Sequence, residues 1–346
     1  MYLSEKKILE PNWFVIGCLV LFSAPAWGQQ NQFQRWDRNR DGQLVVDELP
    51  KGIRGNFGRV DRNQDGVITL EEHNQFVGRR RELPGTVHRD LAYVENGHAR
   101  QKLDLYLPEL GSSKRAPLIL FVHGGAWKSG DKKSAPVEEF LKAGFAVASI
   151  NYRLSQDAEF PAQIADCNSA LVWLQSQADR YKIDGDRIGA FGKSAGGHLV
   201  NLLGTNSHAT KGNQSGRVKA VCSWYGPAEL LTMNAQSRPD SVIDHDAIES
   251  PESRLIGGSL QDEPFKAKAA SPIEYVSSDD ASFLLMHGDR DRLVPYQQSE
   301  EFHRKLEESG VKSKLIIVPG AGHGLDRRTE LPKVIEFFKE EFFVGT

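Results

Sequence analysis

The chain has 346 residues, a net charge of −3, 39% hydrophobic residues and 26% charged residues. This length accommodates one large α/β domain plus a small module, and the composition is that of a folded globular protein. The small net charge excludes a general attraction to nucleic acid, and three cysteines are too few for a disulfide scaffold, although Cys167 and Cys222 could pair.

Residues 1–28 have the pattern of a secretory signal peptide. Lys6 and Lys7 form a basic start, residues 13–22 are apolar, and small residues between 24 and 28 offer cleavage sites. The apolar run is too short to span a bilayer, although an uncleaved anchor and lipoprotein processing at Cys18 are alternatives. The pattern predicts a secreted or periplasmic protein with no stable membrane span once the leader is removed.

Two segments after the leader, residues 37–48 and 61–72, each match the calcium-loop pattern D-x-N-x-D-G-x5-E. Calcium takes about six to eight oxygen ligands, which such a loop supplies from four side chains and one main-chain carbonyl. The predicted ligands are Asp37, Asn39, Asp41, Gln43, Glu48, Asp61, Asn63, Asp65, Val67 and Glu72, with Gln43 and Val67 acting through their carbonyls.

The two loops resemble an EF-hand pair at residues 31–76. Leu44 and Ile68 stand at position 8 of their loops, where two loops can pair as a short ladder. The intervening segment contains Pro50, Gly52 and Gly55 and has room for one short helix only. We therefore expect a structural or buffering calcium module rather than a sensor that opens a groove, followed by an arginine-containing linker at residues 77–87.

From residue 88 to 346, strand-like apolar runs alternate with helical patterns. The predicted strands are 103–107, 118–122, 145–150, 188–191, 219–224, 282–287 and 314–318, and the predicted helices include 134–143, 162–181 and 332–343. This alternation predicts an α/β domain with a mainly parallel, doubly wound sheet. Leu103, Leu105 and Leu107 alternate with Asp104 and Tyr106, which predicts a half-buried first strand.

Residues 228–280 are polar and rich in loop-forming residues, which indicates a cap over the site. Within this segment, residues 244–246 read Asp-His-Asp. They lack further partners at metal-ligand spacing, so we expect a solvated loop there rather than a metal site.

Residues 192–196 form a G-x-S-x-G turn between a buried strand and a helix. In such a turn the serine is held in a strained backbone, which exposes its hydroxyl at the carboxyl end of the sheet. The flanking glycines let strand and helix approach closely. Ser194 is therefore the candidate nucleophile, and the free N–H groups at the helix start, beginning with Ala195, can stabilise an oxyanion.

His123, Gly124 and Gly125 directly follow the buried strand at 118–122. Two glycines in this place present main-chain N–H groups to a substrate oxygen, as in an HGGG-type oxyanion loop with alanine at the last glycine position. The predicted oxyanion hole therefore consists of Gly124, Gly125 and Ala195.

An aspartate-containing loop follows the strand at 282–287, and His323 follows the last strand. The order serine, aspartate, histidine is that of an α/β-hydrolase triad. In this arrangement Ser194 attacks a carbonyl, His323 takes and returns the proton, and the aspartate sets the imidazole tautomer. Spacing alone leaves both Asp289 and Asp291 open as the acid.

Taken together, these motifs resemble those of α/β-hydrolase esterases. The resemblance covers roughly residues 88–343 and is strongest to the bacterial branch called bifunctional feruloyl and acetyl xylan esterase, near the hormone-sensitive-lipase-like esterases. It implies a serine carboxylic-ester hydrolase with an acyl-enzyme mechanism, Asp291 as triad acid, no cofactor for catalysis, and an acylated polysaccharide as substrate. The motifs that carry the resemblance are His123-Gly124-Gly125-Ala126-Trp127, Asn151-Tyr152-Arg153-Leu154, Phe160-Pro161-Ala162-Gln163, Gly192-Lys193-Ser194-Ala195-Gly196-Gly197-His198, His287-Gly288-x-x-Asp291-x-x-Val294-Pro295 and Gly322-His323-Gly324.

Two other functions fit parts of the sequence. Serine peptidases of the prolyl-oligopeptidase type share the nucleophile elbow, which is the G-x-S-x-G turn at residues 192–196, and the aspartate loop. They also carry a large propeller domain, which the roughly 55 residues between leader and hydrolase cannot form. A non-catalytic, calcium-dependent binding protein on a hydrolase fold has no need of an intact Ser194, Asp291 and His323. Ester hydrolysis is therefore the main prediction.

Overall fold

A computed structural model describes residues 27–78, 83–109, 114–205 and 216–343. Most of the predicted leader and the arginines at 79–81 lie outside the described residues. The chain divides into two compact units between residues 82 and 83. No helix among the described residues is long and apolar enough to cross a membrane.

The first unit is helical and contains a two-stranded ladder. Its helices are α1 (Trp27–Trp36), α2 (Phe57–Val60) and α3 (Leu70–Gly78), with a 3-10 helix at Lys51–Asn56. Strand β1 (Gln43–Leu44) pairs antiparallel with β2 (Ile68–Thr69), and Leu44 lies opposite Ile68. Both side chains enter a small core, whose buried members are Phe33, Leu44, Leu49, Val60 and Ile68.

The second unit is built, within the described residues, on an eight-stranded sheet. Its spatial order is β10-β9-β8-β7-β5-β6-β4-β3, parallel from β10 to β6 and antiparallel where β4 meets β6 and β3. The predicted mainly parallel sheet is confirmed. The strands are β3 (Thr86–Ala92), β4 (Lys102–Leu107), β5 (Ala116–Val122), β6 (Ala146–Ile150), β7 (Ile183–Lys193), β8 (Ala220–Trp224), β9 (Ser282–Gly288) and β10 (Ser313–Val318).

Helices cover both faces of this sheet. Alternate residues of β5 enter two different buried clusters, which explains why this strand is a continuous apolar run. Cys167 and Cys222 are both free and buried, and each belongs to a different one of these clusters. The helices are α4 (Val137–Lys142), α5 (Ala162–Ser176), α6 (Ala178–Tyr181), α7 (Ala195–Gly204), α8 (Met233–Gln236), α9 (Pro251–Ile256), α10 (Pro264–Ala269), α11 (Gln297–Glu308) and α12 (Arg327–Phe343).

The half-buried strand predicted around Asp104 is wrong. In β4 the Asp104 side chain is fully buried, and Tyr106 is only 4% exposed. The Lys132 ammonium lies 2.5 Å from Asp104 and 3.0 Å from Asp90, so the buried carboxylate has a charged partner. The alternating pattern is misleading because the polar side chain of β4 is paired with Lys132, which is distant in the chain, and is not exposed to water.

The segment 228–280 is more ordered than its composition predicts. It contains α8, α9 and α10, and Leu255 and Leu260 are completely buried in the core. Residues 244–246 form a loop as expected, and Asp244 is exposed. The loop is not solvated throughout, because His245 is fully buried with Nδ1 3.1 Å from a Glu252 carboxylate oxygen. Short helices bury few apolar residues each, so their hydrophobic periodicity is too weak to read.

Candidate active site

The turn after β7 holds Ser194 in a strained backbone, with φ 54° and ψ −124°. A residue with a side chain rarely adopts such a φ, and surrounding contacts must maintain it. A Cβ added to Gly192 would lie 2.1 Å from the Gly196 carbonyl oxygen, and one on Gly196 would lie 2.1 Å from the Val122 oxygen. Only glycine therefore fits at these two positions.

Ser194, His323 and Asp291 form one hydrogen-bonded chain. His323 Nε2 lies 2.9 Å from Ser194 Oγ, and His323 Nδ1 lies 2.7 Å from Asp291 Oδ2. Because a carboxylate only accepts, Nδ1 carries the proton and Nε2 accepts from the serine hydroxyl. The three side chains meet because β7, β9 and β10 are parallel and end at the same edge of the sheet.

The structure distinguishes the two aspartates that spacing left open. The Asp291 side chain is buried, and its Oδ1 accepts hydrogen bonds from the main-chain N–H groups of Leu293 and Val294, at 2.8 and 3.1 Å. The Asp289 carboxylate instead accepts the Gly320 N–H at 2.7 Å. Asp291, and not Asp289, therefore faces His323.

His287 is a second imidazole against Asp291, which sequence reasoning did not identify as part of the site. Its Nε2 lies 3.2 Å from Asp291 Oδ2, and its Nδ1 lies 2.8 Å from the Ser299 hydroxyl. Burial by itself raises the pKa of Asp291, but hydrogen bonds from His287 and His323 outweigh it and hold the pKa below its usual range. The carboxylate is therefore ionised at neutral pH.

Tyr225 is a further residue of the site that the sequence did not reveal. It follows β8 at φ 42°, and its ring centroid lies 4.5 Å from that of His323. Burial raises the pKa of Tyr225 to about 12, so the phenol is neutral. Tyr225 therefore packs against the catalytic imidazole without adding charge.

The predicted oxyanion loop lies directly against the nucleophile. A Cβ on Gly124 would lie 2.6 Å from the Lys193 carbonyl oxygen and 3.3 Å from Ser194 Cβ. Within the described part of the chain, no hydrogen bond uses the main-chain N–H of Gly124, Gly125 or Ala195. These amides are free to donate to an oxygen that develops negative charge beside Ser194.

In each predicted calcium loop, carboxylates of the loop accept hydrogen bonds from main-chain N–H groups of the same loop. In each loop the first aspartate accepts the N–H of the glycine at position 6, at 3.0 Å, in the pairs Asp37–Gly42 and Asp61–Gly66. The other oxygen, Oδ1 of Asp37 and of Asp61, is buried without a hydrogen-bond partner within the described structure. A buried carboxylate oxygen without a partner is costly, and a bound cation would satisfy it.

The remaining predicted ligands lie on the same loops. Glu48 accepts the N–H groups of Arg38 and Val45, and Glu72 occupies the matching place in the second loop. Among the described residues, no three His, Cys, Asp or Glu side chains converge as a metal site. Asp41 and Asp65 accept the N–H groups of residues 43 and 67. The other predicted donors are the Asn39 and Asn63 side chains and the carbonyls at 43 and 67.

A family model described as BD-FAE matches residues 103–306. Esterase LipQ of Mycobacterium tuberculosis is 32% identical over 247 residues, which cover 68% of this chain and 57% of that protein. The chain spans less than two thirds of the length of the first curated relatives it matches.

Solved structures of other proteins share the fold, among them the following two. A truncated carbohydrate esterase from gut microbiota has a TM-score of 0.67 and 33% identity, covering 75% of this chain and 97% of that chain. A bifunctional GH43-CE protein of Bacteroides eggerthii has a TM-score of 0.66 and 34% identity, and the match covers 74% of this chain and 38% of that chain. Because the family model matches more than half of the chain, the protein belongs to the BD-FAE family of α/β-hydrolase esterases.

Proposed function

We propose that the second unit is a serine carboxylic-ester hydrolase that acts through an acyl-enzyme. The observation that carries this proposal is the chain Ser194–His323–Asp291, whose nucleophile lies beside the free N–H groups of the oxyanion loop. No metal or organic cofactor has a role in this chemistry.

In the first half-reaction Ser194 Oγ attacks the ester carbonyl while its proton passes to His323 Nε2. The oxyanion accepts hydrogen bonds from the free amides, and the intermediate collapses as His323 returns the proton to the leaving alcohol. In the second half-reaction water takes the place of the alcohol, releases the acid and restores Ser194. The ionised Asp291 stabilises the imidazolium in both halves.

The proposed substrates are acetyl or feruloyl esters of a polysaccharide. Support comes from the BD-FAE family and from the structural neighbour that is a truncated carbohydrate esterase from gut microbiota. The leader-like residues 1–28 support a secreted or periplasmic location, where such a substrate is accessible. N-terminal sequencing of the exported protein tests this location, and a mature form starting near residue 29 is the expected result.

A panel of esters tests the activity. We expect the protein to hydrolyse p-nitrophenyl acetate and to release acetate from acetylated xylan, with methyl ferulate as a third substrate that reports the acyl range. A peptide p-nitroanilide is the control for the peptidase alternative. Amide hydrolysis at a rate exceeding that for the esters would contradict the proposal.

We also propose that the first unit binds calcium through its two loops. The support is the pair of buried, unpartnered oxygens of Asp37 and Asp61. Hydrogen bonds from Thr69 and Arg62 lower the pKa of Glu72, which keeps this predicted ligand ionised. When bound, the ion would supply charge compensation for the loop carboxylates and would have no part in ester hydrolysis.

Calcium is expected to stabilise the first unit and to leave most of kcat unchanged. A ligand that binds only the folded state at about 100 times its Kd stabilises it by about 2.7 kcal/mol. Calorimetric unfolding of the full protein with calcium and with chelator measures this effect, with Glu72→Gln as the ligand variant and Glu71→Gln as the matched control. Unchanged unfolding of the first unit in calcium would contradict calcium binding, and loss of hydrolysis in chelator would contradict an ion that has no part in ester hydrolysis.

A further inference from the structure

The oxyanion loop is held in an unfavourable backbone conformation. Gly125, Ala126, Trp127 and Gly130 all have positive φ, at 120°, 54°, 53° and 107°. For Ala126 and Trp127 this region is disfavoured by the side chain itself. Such a conformation persists only where contacts from neighbouring elements determine it. The position of the loop amides therefore depends on what the loop is attached to.

Trp127 makes one such attachment. Its side chain is 2% exposed, and its indole Nε1–H donates a hydrogen bond to His198 Nδ1 at 3.2 Å. The two rings are nearly perpendicular, with centroids 5.1 Å apart. His198 lies on α7, one helical turn after Ser194, and its own N–H donates to the Ser194 carbonyl oxygen at 2.9 Å. The hydrogen bond between Trp127 and His198 therefore joins the oxyanion loop to α7, the helix that begins directly after the nucleophile.

Two hydrogen-bond partners on opposite sides of the His198 ring determine its tautomer. An indole N–H only donates, so Nδ1 of His198 must accept. Nε2 lies 2.6 Å from the main-chain oxygen of Ala270, which only accepts, so Nε2 must carry the proton. The neutral Nε2–H form satisfies both partners, and the ring is fully buried. His198 therefore connects the oxyanion loop, the elbow helix and the segment that follows α10.

We propose that His198 is a positioning residue for the oxyanion hole, acting through Trp127 on the amides of Gly124 and Gly125. The proposal rests on the esterase function proposed above. Ala195, the third donor, lies on the same helix as His198. Helix α7 thus carries the Ala195 donor itself, and through His198 and Trp127 it holds the loop that carries the Gly124 and Gly125 donors. Because catalysis by an oxyanion hole depends on donors that are already in place, loosening this link lowers transition-state stabilisation.

Four variants separate this role from general packing. Trp127→Phe keeps an aromatic ring and removes the indole donor. His198→Asn keeps an acceptor near the Nδ1 position, whereas His198→Gln keeps a donor near the Nε2 position and loses the acceptor. We expect kcat to fall about 10- to 100-fold for Trp127→Phe and His198→Gln, with KM changed by less than about threefold. His198→Asn should retain more of kcat, and the Trp127→Phe/His198→Gln double variant should fall no further than either single variant.

A transition-state analogue gives a second readout. The affinity for an aryl trifluoromethyl ketone, whose adduct places an oxyanion in the hole, should fall in proportion to kcat/KM in Trp127→Phe and His198→Gln. Affinity for the product alcohol, which carries no oxyanion, should stay the same. Trp224→Phe is the matched control, because it removes another buried indole donor, which lies 3.2 Å from the Met286 sulfur. It should lower Tm without changing kcat or analogue affinity.

The outcomes distinguish a failure of the positioning role proposed for His198 from a failure of the esterase function on which that role rests. A wild-type protein that hydrolyses no ester overturns the esterase proposal. An active wild type with full kcat in both Trp127→Phe and His198→Gln overturns the positioning role. Equal losses in His198→Asn and His198→Gln, matched by equal losses of Tm, also overturn it, because they show a packing role only. Trp127→Phe keeps the test decisive if a His198 variant does not fold.

Discussion

Replacing Ser194 with alanine is expected to lower kcat for ester hydrolysis by about 10⁴-fold or more while the protein stays folded. The substitution removes the hydroxyl oxygen that lies 2.9 Å from His323 Nε2, and this oxygen is the proposed nucleophile that forms the acyl-enzyme. Alanine adds no volume and keeps a Cβ at the same strained position. The measurement is kcat with p-nitrophenyl acetate, together with thermal unfolding of wild type and variant.

Ser223→Ala is the matched control for this experiment. Ser223 is a buried serine of β8, on the strand next to β7, and its hydroxyl is not in the Ser194–His323–Asp291 chain. We expect this control to keep nearly full activity. If Ser194→Ala retains more than a small fraction of wild-type turnover, the nucleophile lies elsewhere and the proposed mechanism is wrong.

Asp291→Asn is expected to lower kcat by about 10⁴-fold, because the amide no longer enforces the His323 tautomer or balances the imidazolium charge. The loss of charge also affects His287, which contacts the same carboxylate oxygen. Asp289→Asn should cost less than about tenfold, because its amide oxygen can still accept the Gly320 N–H. Initial rates of the two variants, measured side by side, test the assignment. The reverse order would move the triad acid to Asp289.

The lowered pKa of Asp291 also predicts how the site responds to acid. The folded-state pKa lies below the unfolded value, so the stabilisation from the ionised form is complete above the unfolded pKa of about 3.9. It is lost only as the pH falls further, towards the lowered value. A pH–rate profile should therefore show no titration of Asp291 in the mildly acidic range. In Asp291→Asn any remaining acid-limb titration should persist, since it belongs to another group.

The motifs with local geometry could be read from the sequence. The G-x-S-x-G turn requires Gly192 because main-chain atoms four and five residues away fill the space that a Cβ would need. It requires Gly196 because the end of the neighbouring strand β5 fills that space. The pairing of Leu44 with Ile68 likewise follows from equal positions in two repeated loops. The chain order of the candidate triad could be read because parallel strands bring their carboxyl ends to one edge.

Features that depend on distant partners could not be read in this way. The alternating pattern of β4 predicts that Asp104 faces solvent. In the structure Asp104 is buried and forms an ion pair with Lys132, which is 28 residues away in the chain. Trp127 and His198 are separated by 71 residues and each looks like an ordinary motif member until their hydrogen bond is seen. In the sequence, His287 and Tyr225 are recognisable only as residues at or just after the end of a predicted strand. Nothing in their neighbouring residues indicates that they converge on the triad.

The sequence by itself determined the α/β class, the order of the candidate nucleophile, acid and base, and the two calcium-loop patterns, because each depends on residue types at short, regular spacing. Spacing left both Asp289 and Asp291 open, and the tertiary structure distinguishes them, because two residues of one turn direct their carboxylates to different partners. The tertiary structure also decided what surrounds the triad and holds the oxyanion loop, because those contacts join elements that are far apart in the chain and meet only when the sheet and its helices pack.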